Sequence, residues 1–218
     1  MSGKTVVFDL DGVLLHGDST VELLRRRLRH SPWLLPPVAV TGALFALSDR
    51  RSRWRSRWSR AVVAAALLGR RIDSVEAELR ALAEDLHAQE GLAPTRTVEA
   101  LRSHVAQGDR VLVSSAGLEP FVHAWVALLT GPGAVTAAGS RLAQHRSGVV
   151  LADHHYGGRK VERAAELGFA PPYDVVYSDS DSDLPLLERA TTPVLVEPSD
   201  RTLDALPRAV RERAQIWR

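Results

Sequence analysis

The 218-residue chain carries 45% apolar and 25% charged residues, 28 Lys and Arg against 26 Asp and Glu, and no cysteine. This is the composition of a folded domain long enough to bury a core, and it excludes disulfides, thiolate nucleophiles and cysteine-based zinc sites. The formal charge of +2 is unevenly spread: from Thr20 to Arg71 twelve Arg stand against Glu22 and Asp49, about +10, which leaves about −8 for the rest. A basic block of this kind suits an anionic partner: a membrane surface, a nucleic acid or a phosphorylated substrate. The plainer reading is an Arg-biased composition, since Lys4 and Lys160 are the only lysines.

The opening MSGKTVVFDLDG has one Lys, a very short apolar run and then acids, which is not the pattern of a signal peptide. A cytoplasmic protein is the expectation. Thr5–Leu10 is a β-rich apolar run ending in acids and Gly12, so it predicts a buried strand with a loop at its C-terminal end. The stretch from about His16 to about Leu92 reads as helical throughout: Ser19–Arg29, Trp33–Leu47, Arg50–Leu68 and Asp73–His87, the last with Asp73, Ser74 and Glu76 as its cap. Further strands are predicted at Arg110–Ser114, Asp174–Ser178 and Pro193–Val196, and a small hairpin within Gly139–Asp153. Helices are predicted at Thr95–Ala106, Glu119–Leu129, Arg159–Leu167 and Leu184–Ala190.

Strands alternating with helices predict a parallel sheet covered on both faces, whose ligands sit beyond the C-terminal strand ends. The expected architecture is α/β: a Rossmann-like parallel sheet core, residues 1–15 and 93–218, with an inserted all-helical cap over residues 16–92. That rule alone places Asp9, Asp11, Ser114, Asp179 and Asp183 on one rim.

Four elements follow in order: DLDGV at Asp9–Val13, VLVSSAG at Val111–Gly117, Lys160, and SDSDSD at Ser178–Asp183. DLDGV alone is a weak signal. The ordered set resembles the four motifs of the haloacid dehalogenase superfamily. The resemblance implies a phosphatase that forms an aspartyl phosphate, with Asp9 as nucleophile and Asp11 as acid for the leaving oxygen and then base for water. It implies Mg²⁺ held by Asp9, the backbone carbonyl of Asp11, Asp179 and Asp183, the last either ligating or holding a metal-bound water. Ser114, or its neighbour Ser115, matches the hydroxyl that bonds a phosphoryl oxygen, and Lys160 matches the motif III cation. These residue types suit the chemistry, because phosphoryl transfer needs a nucleophile, charge neutralisation and a proton donor. Asp181 reads as a loop acid. The sequence departs from the commoner pattern at Val13, Ser178 and Ser182, and none of these removes a needed charge.

A helical insertion after the first motif, with SDxxxDxPLL, resembles the phosphoserine-phosphatase-like branch. Within it, Tyr177–Leu187 and the unusual cap resemble the phosphatidylglycerophosphatase C family. Two features of the insertion point to lipid. Ser31–Ser48 has no charged residue, although Pro32, Pro36 and Pro37 make a full membrane span marginal. Arg50–Arg60 packs six Arg and two Trp, and Trp54, Trp58, Ala61, Ala65 and Leu68 line one helical face. Trp at headgroup depth with Arg on phosphate is what an interfacial helix needs. The expected partners are a phosphorylated lipid or small molecule and an anionic membrane surface, met peripherally at its inner face. The alternative is a soluble phosphoserine-phosphatase-like enzyme; its amine-reading Glu would be Asp18 here, one carbon shorter. A nucleic-acid-binding module with a relic core is a third reading, opposed by the intact catalytic positions. His16, His123, His154 and His155 have no metal-like spacing and read as surface or core histidines.

Overall fold

The computed structural model describes residues 3–48 and 53–218, with the backbone only at Arg53 and Arg55. The chain begins with β1 (Thr5–Phe8), followed by four α-helices: α1 (Ser19–His30), α2 (Leu35–Leu47), α3 (Arg53–Ala66) and α4 (Ile72–His87). Then come α5 (Thr95–Ala106), β2 (Arg110–Leu118), α6 (Glu119–Thr130), β3 (Thr136–His145), β4 (Gly148–Asp153), α7 (Gly158–Glu166) and β5 (Tyr173–Ser178). The chain ends through α8 (Leu184–Leu187), β6 (Ala190–Val196), α9 (Asp200–Ala205), α10 (Arg208–Arg211) and β7 (Gln215–Trp217).

The seven strands form one sheet in the order β4-β3-β2-β1-β5-β6-β7. All neighbouring pairs are parallel except β3 with β4, the anticipated hairpin. The expected α/β sheet with an all-helical insertion is therefore present. β1 lies in the middle and is fully buried along Val6–Phe8, as its unbroken apolar run requires. Helices on both faces bury the sheet. One cluster joins Phe8, Val113 and Tyr177 to Phe121 and Trp125 of α6; a second, around Leu112, Val176 and Leu195, packs under Ala164 of α7 and Leu186.

The helices between β1 and β2 are bound into the same core. Val75, Leu79, Leu82, Ala83 and Leu86 of α4 share the first cluster with α6, as do Leu23 of α1 and Val63 and Leu67 at the end of α3. Trp125 ties the layers by donating its indole N–H to the carbonyl of Leu14, 3.0 Å away.

Several local expectations are corrected. The Trp33–Leu47 helix divides, because Pro36 and Pro37 suit a helix start; Pro32–Leu34 is a 3-10 turn and the α-helix begins at Leu35. α4 starts at Ile72, with Arg71 in the cap position, so Asp73 lies in the first turn and is no cap; Gln144 accepts the Ile72 N–H at 2.8 Å instead. The anticipated start of α3 at Arg50 lies outside the described residues. α3 buries Val62, Val63 and Ala66, and the Trp54, Trp58, Ala61, Ala65 and Leu68 stripe is offset from that face. Trp54 is half exposed and stacks beneath the Arg57 guanidinium, 4.7 Å from the ring centre.

α2 is the anomaly. Its thirteen residues are LPPVAVTGALFAL, without a charge, yet only Val38 is buried. Leu35, Val40 and Leu47 are 56%, 61% and 84% exposed, and Trp33 just before them is 62% exposed. A helix apolar on every side is normally buried in protein or lipid. Among the described residues no helix is long and apolar enough to cross a membrane.

Candidate active site

Register brings the site together. Phe8 pairs with Val113 on one side and with Tyr177 on the other, so Asp9, Ser114 and Ser178 reach the same level at the ends of three adjacent strands. Asp9 remains tied there by donating its N–H to the Tyr177 carbonyl at 2.9 Å. The chain then turns sharply at Gly12, whose φ of +78° L side chains rarely adopt. A Cβ on Gly12 would also lie 2.5 Å from Asp179 Oδ2, so glycine is what lets the Asp179 carboxylate rest on the Asp11–Gly12 turn.

Asp9 is 8% exposed. Its Oδ1 accepts from the Leu10 N–H at 2.8 Å and from Lys160 Nζ at 3.0 Å. Among the described residues no hydrogen bond is made to Oδ2, which leaves that oxygen able to attack. Lys160, from the first turn of α7, is buried and also reaches Asp183 Oδ1 at 2.6 Å; Asp183 Oδ2 accepts from Ser178 Oγ at 2.9 Å. The pair of carboxylates holds the ammonium pKa above its ordinary value although burial opposes it.

Asp11 accepts from the Ser19 N–H at 2.7 Å and from Ser115 Oγ at 3.0 Å. Burial, with the nearby charge of Asp18, pushes its carboxyl up to about 6. Burial and Asp183 likewise push Asp179 up to about 6, and burial and Asp183 hold Asp9 well above the usual carboxylate range. Four buried or half-buried carboxylates thus crowd around Lys160, which contacts two of them, Asp9 and Asp183.

The two serines part company. Ser115 turns to Asp11 and accepts the Gly117 N–H at 2.8 Å, whereas Ser114 bonds His155 Nε2 at 2.8 Å. Gly117 is fitted here by contact: its Cβ would stand 2.7 Å from Ser19 Oγ and 3.1 Å from Ser115 Oγ. His155 is buried, and burial with the Lys160 charge lowers its pKa to about 3, so the ring is neutral. The backbone N–H of His155 donates to Ser140 Oγ at 3.0 Å, and Ser140 Oγ donates to the Ala116 carbonyl at 2.7 Å. His154 contacts Ser56 Oγ of α3 at 2.8 Å through Nδ1. Both histidines therefore serve the site's surroundings, a role that spacing in the sequence could not signal. Asp18 caps α1, its Oδ1 accepting from the N–H groups of Thr20 and Val21 at 2.8 and 3.0 Å.

Above the carboxylates opens a cavity of about 620 Å³. Asp9, Asp11, Lys160 and Asp179 line its floor, and Asp18 its side. Toward the helices it is walled by Val21 and Leu24 of α1, Gly42 and Phe45 of α2, and Val62 and Val63 of α3. Among the described lining residues Lys160 is the sole Lys or Arg. No group of three or more His, Cys, Asp or Glu side chains among the described residues could by itself hold a metal. Asp9 and Asp179 remain as two acids able to ligate, in a site with excess negative charge; that donor set fits a hard divalent cation that keeps water and phosphate oxygens in its shell.

The fold has counterparts among solved structures. A protein of unknown function from Bordetella pertussis Tohama I superposes with a TM-score of 0.71 at 21% identity, over 100% of this chain and 99% of that one. A substrate-bound phosphoserine phosphatase superposes with a TM-score of 0.61 at 15% identity, over 94% and 91%. A cytosolic 5'-nucleotidase IIIB bound to cytidine gives 0.61 at 14% identity, over 97% and 79%. At these identities the likeness is one of fold. No curated protein sequence matches the chain. The model of the haloacid dehalogenase-like hydrolases matches residues 6–188, most of the chain and every site residue named above, and the chain belongs to that family.

Proposed function

We propose that the protein is a phosphomonoester hydrolase that works through an aspartyl phosphate on Asp9, and that its substrate is a lipid phosphate met at a membrane surface. The observation that carries the substrate reading is the two-ended cavity, with carboxylates and Lys160 at the floor and Leu24, Phe45, Val62 and Val63 above. A substrate matching it has a phosphate at one end and an apolar body at the other.

Asp9 Oδ2 attacks phosphorus and the bond to the leaving oxygen breaks. Asp11 gives that oxygen its proton; a carboxyl raised to about 6 keeps a useful protonated fraction near neutrality. Asp11, now a carboxylate, takes a proton from the water that attacks phosphorus, and the bond to Asp9 breaks to release phosphate. Ser115, beside Asp11, is the hydroxyl placed to bond a phosphoryl oxygen, and Lys160 offsets the charge on the transferring group. Asp9, Asp179 and the backbone carbonyl of Asp11 would hold Mg²⁺, with Asp183 behind them anchoring Lys160. When bound, the ion supplies neutralisation of the phosphoryl oxygens.

The split between the serines gives a prediction. Ser115→Ala is expected to lower kcat/KM by roughly 10²-fold, the usual cost of losing one preorganised donor. Ser114→Ala is expected to act on stability, by about 1–3 kcal/mol, because it leaves buried His155 without that partner. A larger kinetic loss in Ser114→Ala, measured beside thermal melts, would reverse the assignment.

Membrane contact is supported by exposed α2, by Trp33 and Trp54, and by the Arg-rich sequence Arg50–Arg60 that leads into α3. The soluble alternative, a phosphoserine-like substrate, would use Asp18 for the amine, but with Lys160 given to the phosphate no second Lys or Arg among the described lining residues is left for the carboxylate. The test is a Mg²⁺-supplemented screen with phosphatidylglycerophosphate, phosphoserine and nucleotides, together with sedimentation on phosphatidylglycerol vesicles. Turnover of the lipid phosphate and co-sedimentation are expected, and chelation should abolish turnover. Preference for phosphoserine with no vesicle binding would replace this reading with the soluble one.

A further inference from the structure

Gly42 lies in the middle of α2, where glycine destabilises a helix relative to alanine. Three circumstances usually require a glycine there. Its φ could be positive, but Gly42 is not among the positive-φ residues. Another backbone could pass too close for a Cβ, but a Cβ on Gly42 would meet no atom within 4 Å. It could mark a helix end, but five residues of α2 follow it. What remains is the space in front of it. Gly42 lines the active-site cavity, on the same side of the helix as buried Val38 and cavity-lining Phe45, at the i, i+4 and i+7 positions of one face.

Leu35, seven residues before Gly42 and so on this same face, is exposed and apolar, and the opposite side of α2 carries exposed Val40 and Leu47. The cavity and the exposed apolar surface of α2 thus meet along one face of the helix, which stands lowest at Gly42. We propose that Gly42 is the aperture of the site: the missing side chain leaves room for the aliphatic part of the substrate to run from the carboxylate floor toward the exposed surface of α2, and so sets which chain lengths are accepted. This rests on the apolar-substrate reading above and adds a specificity-determining residue to it.

The test compares kcat/KM for dodecyl phosphate and glycerol 3-phosphate, in wild type and in Gly42→Leu and Gly42→Phe. Wild type should favour dodecyl phosphate. Each substitution fills the open space, so the dodecyl-to-glycerol ratio should fall at least about tenfold, more for Phe than for Leu, with the preferred length in an alkyl phosphate series moving to shorter chains. A wild type that favours glycerol 3-phosphate overturns the apolar-substrate reading, and this inference with it. A wild type that favours dodecyl phosphate while both variants keep its ratio and length preference overturns the aperture alone. Gly42→Ala, whose Cβ has room, guards against misfolding of the larger variants: its melting temperature should rise, and its length preference should shift in the same direction. An unshifted preference in a stable Gly42→Ala, when neither larger variant folds, counts against the aperture.

Discussion

Asp9→Asn is expected to reduce phosphate release by at least about 10⁴-fold while leaving the protein as stable as wild type or more so. The amide has nearly the shape of the carboxylate and its oxygen can still accept from Leu10 and Lys160, but it is no nucleophile toward phosphorus. Stability should move the other way. Asp9 is a buried acid crowded by Asp183, Asp179 and Asp11, and its charged form is disfavoured, as its raised pKa records. Replacing it with a neutral group relieves part of that repulsion. The two readouts are phosphate release in Mg²⁺ and a thermal melt of the same preparation. Activity within tenfold of wild type would sink the covalent mechanism, whereas inactivity with a lowered melting temperature would point to damage and not to a lost nucleophile.

Lys160→Met should be the most destabilising single change in the site. It removes the buried cation that both Asp9 and Asp183 contact, at 3.0 and 2.6 Å, and leaves their charges where water is largely excluded. Breaking a buried pair from one side costs about 3–5 kcal/mol, because the abandoned partner keeps its desolvation penalty. Lys160→Arg is not expected to restore the site, since a planar fork replaces a compact ammonium in a space built for one atom. Adding Asp183→Asn to Lys160→Met should recover part of the loss by discharging one of the abandoned acids. Urea unfolding of the three variants decides the matter; a loss below about 1 kcal/mol for Lys160→Met would mean that the pair is not energetically coupled to the fold.

Much of this fold is legible in the sequence. β1, β2, β5 and β6 announce themselves as short apolar runs that end in polar residues, and the bounds of α5 follow from Val98 and Leu101 repeating at helical spacing between Pro94 and Gly108. The parallel join of β3 to β2 was less accessible. Thr136–His145 is small and polar with no strong alternation, and its place in the sheet comes from partners far along the chain. β7 is three residues long and largely exposed, too little for a pattern. At the site, the ordered motifs single out Asp9, Asp11, Lys160, Asp179 and Asp183, which the fold brings close together. They do not separate Ser114 from Ser115, because adjacent strand residues point to opposite sides and one residue of register decides which meets Asp11. His155 was unreadable for a related reason: its partner Ser114 is 41 residues away.

The double attachment of Lys160 has a consequence for the whole reaction cycle. In the mechanism proposed above Asp9, once an acyl phosphate, is no longer a carboxylate, and a lysine held by Asp9 alone would lose its tether midway. Asp183 is not consumed, and Ser178 holds it from behind. In that mechanism the ammonium would stay in register through both half-reactions, and the site would re-enter its starting state without a side chain having to be returned to place.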